Sequence, residues 1–557
     1  MRGSARLPNR RIRFLLVFFV LAFMATLGRA VWLQAVQARP LDRMAQGQHH
    51  ATVEVPAARG SILDRNGVEL AIGKQAITVY ANPKHVADPR ATAIAAGRAL
   101  HVDPDKLYGT LADRSKGFVY LVRKAEPSRA AALKKLDLTG IGFYPEERRV
   151  YPQGSVAAAV LGYAGIDNHG LSGLELARDK TLAGRNGRQS IIRDPEGRTM
   201  NVISSVPAQE GQNVRLTIDN TLQANAESVL QRTVRAWGAK AASAVVLDPR
   251  TGQVLAMAAQ PGFDANRFPQ TSDDAKRNRA VTDNYEPGST LKVVTVAGAL
   301  SEGLVTPSTE FTLAPSIHVA DRIIHEAHRE GTERMTVAEI LSRSSNVGTI
   351  TLAELLGRQR LERWVARFGF GKKTGIDFPG ETAGILPFYW SGSTIGTLPI
   401  GHGIAVTPIQ MASAYGAIAN RGVWLRPRLV ADRSLGTGPH RRRVMSPHVA
   451  DQLMSMLRDV VIEGTGIEAE IDGYQVAGKT GTAAKPDPSG GYSKERYVAS
   501  FVGVVPASAP RLVVLVTVDE PHGAIWGGVV AAPAFQEIAR FALQYLEIPP
   551  DATPSGR

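Results

Sequence analysis

Three short groups of residues in this chain have types and spacings suited to acyl transfer through a serine. Ser289 and Lys292 stand three apart at the end of Tyr285-Glu286-Pro287-Gly288-Ser289-Thr290-Leu291-Lys292. Pro-Gly opens a helix, and residues 291–300 read as helical, so hydroxyl and amine share one face a turn apart. The serine also sits where free backbone N–H groups and the positive helix end favour a developing oxyanion. No other Ser-x-x-Lys occurs in the chain. The second group is Ser344-Ser345-Asn346. Thr336 and Glu339 form a capping-box pattern that starts a helix at Thr336. That helix is expected to end just before Ser344 and another to begin near Val347, leaving the group on a short loop. Its hydroxyl can relay a proton and its amide can hold a substrate amide. The third group, Lys479-Thr480-Gly481-Thr482, follows a strand-like alternation over residues 474–477. Gly481 lets a backbone approach closely, and the lysine and threonine hydroxyls can grip a carboxylate.

Two look-alikes fail on context. Lys373-Thr374-Gly375 is a second Lys-Thr-Gly, but it lies in a turn-rich stretch rather than a strand and is assigned to structure. Residues 473–480 match the Walker A pattern, with a Walker B-like strand ending at Asp519. A P-loop lysine must open a helix whose N-terminus helps bind phosphate. Gly481, Pro486, Pro488, Gly490 and Gly491 follow instead and forbid that helix.

The elements that must position these groups read as an antiparallel sheet covered by helices, a mixed α/β fold of the α+β type. Strands over 244–247 and 253–258 flank an Asp-Pro-Arg-Thr-Gly turn. Residues 497–505 and 512–518 are near-continuous apolar strands, expected to be buried on both faces. A last helix carries Phe535, Ile538, Ala542 and Tyr545 on one stripe. Before this domain, residues 37–210 read as one extended mixed α/β pedestal, with an Asn66-Gly67 turn and a helical piece over 174–182. Residues 206–213 read as a linker, 211–548 as the larger domain and 549–557 as a flexible tail.

The chain has 557 residues, enough for two or three domains, with 44% hydrophobic and 21% charged residues, as in folded protein. It has no cysteine, which removes disulfides and thiolate chemistry. Its histidines are scattered, His49 and His50 read as an exposed pair, and no metal or organic cofactor is expected. The formal net charge is +14, and half of it comes from seven arginines within residues 1–41, which hold no acid. The remainder forms no basic stripe interleaved with aromatics, so no nucleic-acid partner is expected.

Five arginines precede an uncharged, mostly apolar run over residues 14–28. As a helix it spans about 22 Å, short of the roughly 30 Å hydrocarbon core. Arg29 can snorkel, however, and residues 30–36 extend the apolar length, with Trp32 near an interface. The expected arrangement is a basic cytoplasmic segment over 1–13, a single-pass anchor over 14–36 and the catalytic domain outside the cytoplasmic (inner) membrane. A cleaved signal peptide would export the same residues, but Gly28-Arg29-Ala30 is a poor cleavage site.

Ser-x-x-Lys, Ser-x-Asn and Lys-Thr-Gly in this order resemble the signature of the penicillin-interacting fold, and the chain resembles the class B penicillin-binding proteins. The likeness covers nearly the whole length. Arg59-Gly60-x-Ile62-x-Asp64-Arg65-Asn66-Gly67 is similar to the family's juxtamembrane pedestal motif, and residues 148–165 with Gly173-Leu174-Glu175 to later pedestal blocks. Val246-Leu247-Asp248-Pro249-x-Thr251-Gly252 is similar to the first catalytic hairpin, and residues 401–422 to a helix block. YEPGSTLK, SSNVG and AGKTGTA look like the division-specific FtsI type, and Asn346 stands where elongation-type enzymes usually carry Asp. No glycosyltransferase domain precedes the pedestal, unlike class A, and no obvious Glu-x-x-Leu-Asn deacylation motif of class A β-lactamases is present.

The resemblance implies a penicillin-binding transpeptidase fold and a peptidoglycan D,D-transpeptidase active in septal wall synthesis. Ser289 would attack the carbonyl between two D-alanines of a donor stem peptide, Lys292 would take its proton while neutral, and Ser344 would pass it to the leaving D-alanine. Free lysine titrates near ~10.4, so burial and a nearby positive Lys479 would have to lower Lys292. Backbone N–H groups of Ser289 and Thr482 would form the oxyanion hole. Thr480 and Thr482, with Gly481 between them, would bind the terminal carboxylate, and Asn346 the stem-peptide amide. β-Lactam antibiotics would trap the acyl-enzyme. Implied partners are D-Ala-D-Ala stem peptides, the membrane, a SEDS-type glycosyltransferase and division proteins. The same residues would also serve a D,D-carboxypeptidase or a β-lactam-hydrolysing relative, and a non-catalytic division scaffold or β-lactam sensor stays open.

Overall fold

In the computed structural model, which describes residues 8–36, 50–193, 199–327, 331–431 and 440–552, the apolar run is one continuous helix. α1 (Pro8–Val31) passes into a π-helical turn, Trp32–Val36. Within the 26 residues from Arg10 to Ala35 the most apolar 18-residue window has a mean hydropathy of 2.3, and none of it is packed inside the protein. At 1.5 Å per residue those residues reach about 39 Å, so the shortfall of residues 14–28 alone is made good at both ends and the helix is long and apolar enough to cross a membrane. Arg2, Arg6, Arg39, His49, the rest of the expected polar exit over 37–49 and residues 553–557 of the expected tail lie outside the described residues.

The chain divides into two compact units, Met1–Ala58 with Gly184–Gly211, and Arg59–Ala183 with Gln212–Arg557. The first contains an antiparallel sheet in which His50–Val55 pairs with Gly187–Arg193, and that strand with Thr199–Val206. The segment expected as a linker from residue 206 therefore starts on the last residue of a strand.

The second unit carries a sheet built around the 13-residue strand Glu69–Ala81, which pairs with Val119–Ala125 on one side and Ile141–Val150 on the other. The turn at Asn66-Gly67 is closed by Asp64, whose Oδ1 accepts from the N–H groups of Asn66 and Val68 at 2.7 and 2.8 Å. Its Oδ2 accepts from the Asn220 N–H at 3.1 Å, tying this turn to the helix that opens the larger domain. Glu175 is fully buried between Arg59 and Arg149, at 2.6 Å from each guanidinium. Gly60 and Glu175 of the motif blocks are thus joined through Arg149 in one buried polar framework. The helical piece expected over 174–182 is two short helices, Gly173–Ala177 and Asp179–Leu182.

The larger sheet has five antiparallel strands: β1 (Ala241–Leu247), β2 (Val254–Gln260), β3 (Ala477–Pro486), β4 (Tyr492–Val505) and β5 (Leu512–Asp519), in spatial order β2-β1-β5-β4-β3. The apolar runs are buried on both faces, as their composition predicts. Val513 and Leu515 enter one core while Val514 and Val516 enter the other, the period-2 alternation of a pleated strand. One face is covered by α2 (Asn220–Ala236) and by the C-terminal helix Ala532–Tyr545, whose Phe535, Ile538 and Ala542 are buried. Tyr545 on the expected stripe is exposed instead, and its hydroxyl meets Asp219 at 3.4 Å. The other face packs on Pro408–Ala419, a helix buried along its whole length.

The strand-like alternation over 474–477 does not continue as one strand. Ile471 and Tyr474 bridge across a tight turn, and β3 starts only at Ala477, so the Lys-Thr-Gly-Thr group lies inside the strand. Tyr474 anchors the chain end instead, donating to the Ile548 carbonyl at 2.6 Å. Residues from 549, expected to fray, are fastened through Asp551, whose carboxylate accepts from the Gln475 N–H at 2.7 Å and the Ser508 hydroxyl at 2.6 Å.

Candidate active site

Edge strand β3 presses against the turn that carries Ser289. Gly288 adopts φ +55, and a Cβ there would lie 2.8 Å from the Thr482 carbonyl oxygen. A Cβ on Gly481 would lie 2.8 Å from the Pro287 carbonyl oxygen. Both glycines are what the close approach of strand and turn requires. The Thr290 hydroxyl donates to Pro287 O at 2.8 Å, and buried Tyr415 donates to Thr290 O at 3.0 Å. A 3₁₀ turn, Gly288–Leu291, then hands over to α3 (Lys292–Ser301). Ser289 lies in that turn and Lys292 at the first residue of the helix, the one-turn offset the spacing predicts.

The second group sits between α4 (Val337–Ser342) and α5 (Asn346–Leu356). The Thr336–Glu339 capping box is present in full. Ser344 takes a left-handed conformation, φ +61, and Ser345 caps α5 by accepting from the Gly348 N–H at 2.8 Å. The Lys292 amine is completely buried and donates to the Ser344 carbonyl at 2.6 Å and Asn346 Oδ1 at 2.7 Å, with the Ser344 hydroxyl at 3.3 Å. Asn346 Nδ2 donates to His325 O at 3.1 Å, so this amide holds Lys292 on one side and the His325 backbone on the other.

Lys479 is also completely buried, and its amine donates to the Thr480 carbonyl and hydroxyl at 3.5 and 3.4 Å. Thr480 pairs with Thr465 through their hydroxyls at 2.7 Å, and the Thr482 hydroxyl accepts from the Gly527 N–H at 3.0 Å. Ser289, Ser344, Asn346, Thr480 and Thr482 all line one cavity of about 370 Å³. Lys292 reaches it through Ser344 and Asn346, and Gly481 lies between its two threonines.

Burial lowers Lys292 from the ordinary lysine range to about 7, and the Glu326 carboxylate pulls the other way. Lys479 lies well below the ordinary range, first through burial and then through repulsion from Lys292. The sequence reading made a positive Lys479 a cause of the Lys292 shift. In the structure burial is the first cause at both amines, and repulsion between the two adds to it at Lys479.

Glu326 was invisible in the motifs. Its carboxylate accepts from the Ser345 hydroxyl at 2.5 Å and from the Asn346 and Val347 N–H groups at 2.7 and 3.0 Å. It therefore caps α5 and clamps the loop that holds Lys292. Twenty residues separate it from Asn346, with no local pattern to reveal the contact. Thr465, Arg343 and Trp526 also line the cavity without a sequence signal, as does His402, whose 401–422 block carried no site role. The second Lys-Thr-Gly is structural: the Thr374 N–H and hydroxyl and the Gly375 N–H all bind the Glu381 carboxylate. The Walker-like lysine lies mid-strand, where no helix N-terminus can hold a phosphate. Among the described residues, no three His, Asp or Glu side chains converge as metal ligands.

Residues 242–540 match the penicillin binding protein transpeptidase domain family, and residues 54–216 the penicillin-binding protein dimerisation domain family. The peptidoglycan D,D-transpeptidase FtsI of Escherichia coli K12 is 35% identical over 550 residues, 97% of this chain and 92% of that protein. The penicillin-binding protein PbpB of Mycolicibacterium smegmatis is 35% identical over 605 residues, covering 100% of this chain and 93% of that one. Among solved structures, penicillin binding protein 3 of Mycobacterium tuberculosis, complexed with aztreonam, superposes with a TM-score of 0.71 at 32% identity, covering 90% of this chain and 99% of that one.

Proposed function

The chain belongs to the class B penicillin-binding proteins, and from that premise we propose that it is a peptidoglycan D,D-transpeptidase acylated at Ser289. The observation that carries the reading is the setting of Lys292. Its amine is fully buried, bound among the described residues to neutral oxygens of Ser344 and Asn346, and lowered to about 7. A neutral lysine one turn from the serine is a competent general base. The Ser289 hydroxyl proton passes to Lys292 as Oγ bonds to the donor carbonyl carbon. The proton then returns through the Ser344 hydroxyl to the leaving D-alanine amine as the C–N bond breaks. The backbone N–H groups of Ser289 and Thr482 stabilise the oxyanion, while Thr480 and Thr482 receive the terminal carboxylate beside buried Lys479. Asn346 orients the loop and the stem-peptide amide.

Residues 37–210 form the pedestal and 211–548 the catalytic domain in this reading. α1 anchors the chain with residues 1–13 in the cytoplasm and the catalytic domain outside, as its arginines direct. The likeness to FtsI supports a role in septal wall synthesis beside a SEDS-type glycosyltransferase and division proteins. The test is a donor ester or thioester ending in a D-alanine analogue, offered with a primary amine. Amide product that disappears in Ser289→Ala supports transpeptidation, whereas hydrolysis alone assigns the same residues to a carboxypeptidase.

A further inference from the structure

One ionisable pair outside the three motif groups reaches the catalytic cavity. His402 lines the same cavity as Ser289, and its Nδ1 lies 2.8 Å from Glu286 Oε2. Glu286 is itself fixed, because its Oε1 accepts from the Gly403 N–H and from the Tyr492 hydroxyl, each at 3.0 Å. The Tyr492 ring meets the imidazole edge-on, with centroids 5.2 Å apart. The backbone preceding His402 is locked to the nucleophile turn: Gly288 N–H donates to Gly401 O at 3.2 Å. Gly401 has φ +82, and a Cβ on it would lie 2.1 Å from Gly288 O. A carboxylate on Nδ1 makes that nitrogen the protonated one and leaves Nε2 with a free lone pair. Nε2 has no partner among the described residues, and the side chain is 27% exposed, so a substrate group can reach it.

We propose that His402, oriented by Glu286, is the general base of the second half-reaction, taking the proton from the acceptor amine as it attacks the Ser289 ester. The inference rests on the transpeptidase reading above. Lys292 and Ser344 serve the donor side, where one proton moves from the serine to the leaving amine. The acceptor side needs a separate proton outlet. As the amine nitrogen bonds to the ester carbonyl carbon it becomes cationic and far more acidic than a free ammonium, within reach of an imidazole. That proton passes to His402 Nε2 and on to solvent. The tetrahedral adduct then collapses with cleavage of the carbon–Oγ bond, and Ser289 Oγ regains a proton from solvent through Lys292. The charged and titratable groups around the imidazole are Glu286, Tyr492 with Arg322 near it, and the cavity residues Arg343 and Glu468, with Lys292 and Lys479 buried behind.

The test uses full-length protein in detergent, a thioester donor, and methoxyamine, an amine that carries no charge between pH 6 and 8. The readout is the ratio of aminolysis to hydrolysis of the acyl-enzyme. His402→Gln should lower it at least tenfold and Glu286→Gln by a smaller factor. Added free imidazole should restore part of the ratio in His402→Gln and leave the wild-type ratio unchanged. A ratio unchanged by His402→Gln overturns the proposal. Should that variant fail to fold, shown by loss of penicillin labelling, a ratio unchanged by Glu286→Gln overturns it equally. A wild-type protein that the donor never acylates fails earlier, at the transpeptidase reading itself.

Discussion

The amine of Lys292 donates to the side-chain oxygen of Asn346 across 2.7 Å, joining the first motif to the second inside the protein. Three groups spread over almost two hundred residues of sequence therefore act as one unit. The loop bearing Asn346 decides where the base points, and the burial of that base decides when it is neutral.

Acylation by a penicillin should fall on the acid side with a midpoint near 7. Lys292 is held at about 7 by burial, so above that value the amine is neutral and able to accept the serine proton, and below it the ammonium cannot. Measuring the second-order acylation rate from pH 5 to 9 checks this. A rate flat across that range contradicts Lys292 as the base.

The same burial costs stability. In the unfolded chain Lys292 titrates near the ordinary lysine value of 10.5, but near 7 in the folded protein. Between those values the unfolded state binds more protons, so stability rises with pH across that window. At ~1.4 kcal/mol per unit the penalty at neutral pH is of the order of a few kcal/mol. Lys292→Met should therefore melt higher than wild type at pH 7 while losing acylation, and should show a shallower rise of melting temperature up to pH 10. Lys479, lowered in the same direction, leaves the residual slope.

Glu326→Gln should slow penicillin acylation roughly ten- to hundredfold, the cost of one displaced catalytic group. It replaces one of the two carboxylate oxygens that clamp Ser345, Asn346 and Val347 with an amide donor, so part of the clamp is lost. It also removes the one charge that raises Lys292, so the acid limb of the pH–rate profile should move to lower pH. Glu326→Asp should recover part of the rate. A slower variant with an unmoved acid limb would mean that Glu326 acts on the loop alone.

Much of this arrangement is legible in the sequence because its signals are local. Ser289 and Lys292 are related by helix periodicity, the Thr336–Glu339 capping box marks where the Ser344 loop must fall, and unbroken apolar runs announce β4 and β5. What escapes is whatever depends on distant pairing. The start of β3 at Ala477 is set by its ladder to β4 rather than by the alternation before it. Glu326 and the Glu286–His402 pair come together only through the fold, 20 and 116 residues apart from their partners. Asp551 is held by contacts that no terminal sequence reveals.

The pedestal framework should be sensitive to one deletion. Glu175 is fully buried between Arg59 and Arg149, and Glu175→Gln leaves Arg149 without that counter-charge and Arg59 with Asp179 alone. The expected loss is about 3–5 kcal/mol, read as a fall in the thermal unfolding midpoint. The folded fraction should still label with penicillin, because Glu175 is remote from the 370 Å³ cavity lining. A variant as stable as wild type would show that the pair of arginines is satisfied by other acceptors.

The most direct measurement of the central claim is to incubate the protein with a labelled penicillin and locate the adduct by peptide mass spectrometry. The account predicts one stable adduct on Ser289, absent in Ser289→Ala. An adduct on another residue, or none from folded protein, would contradict it.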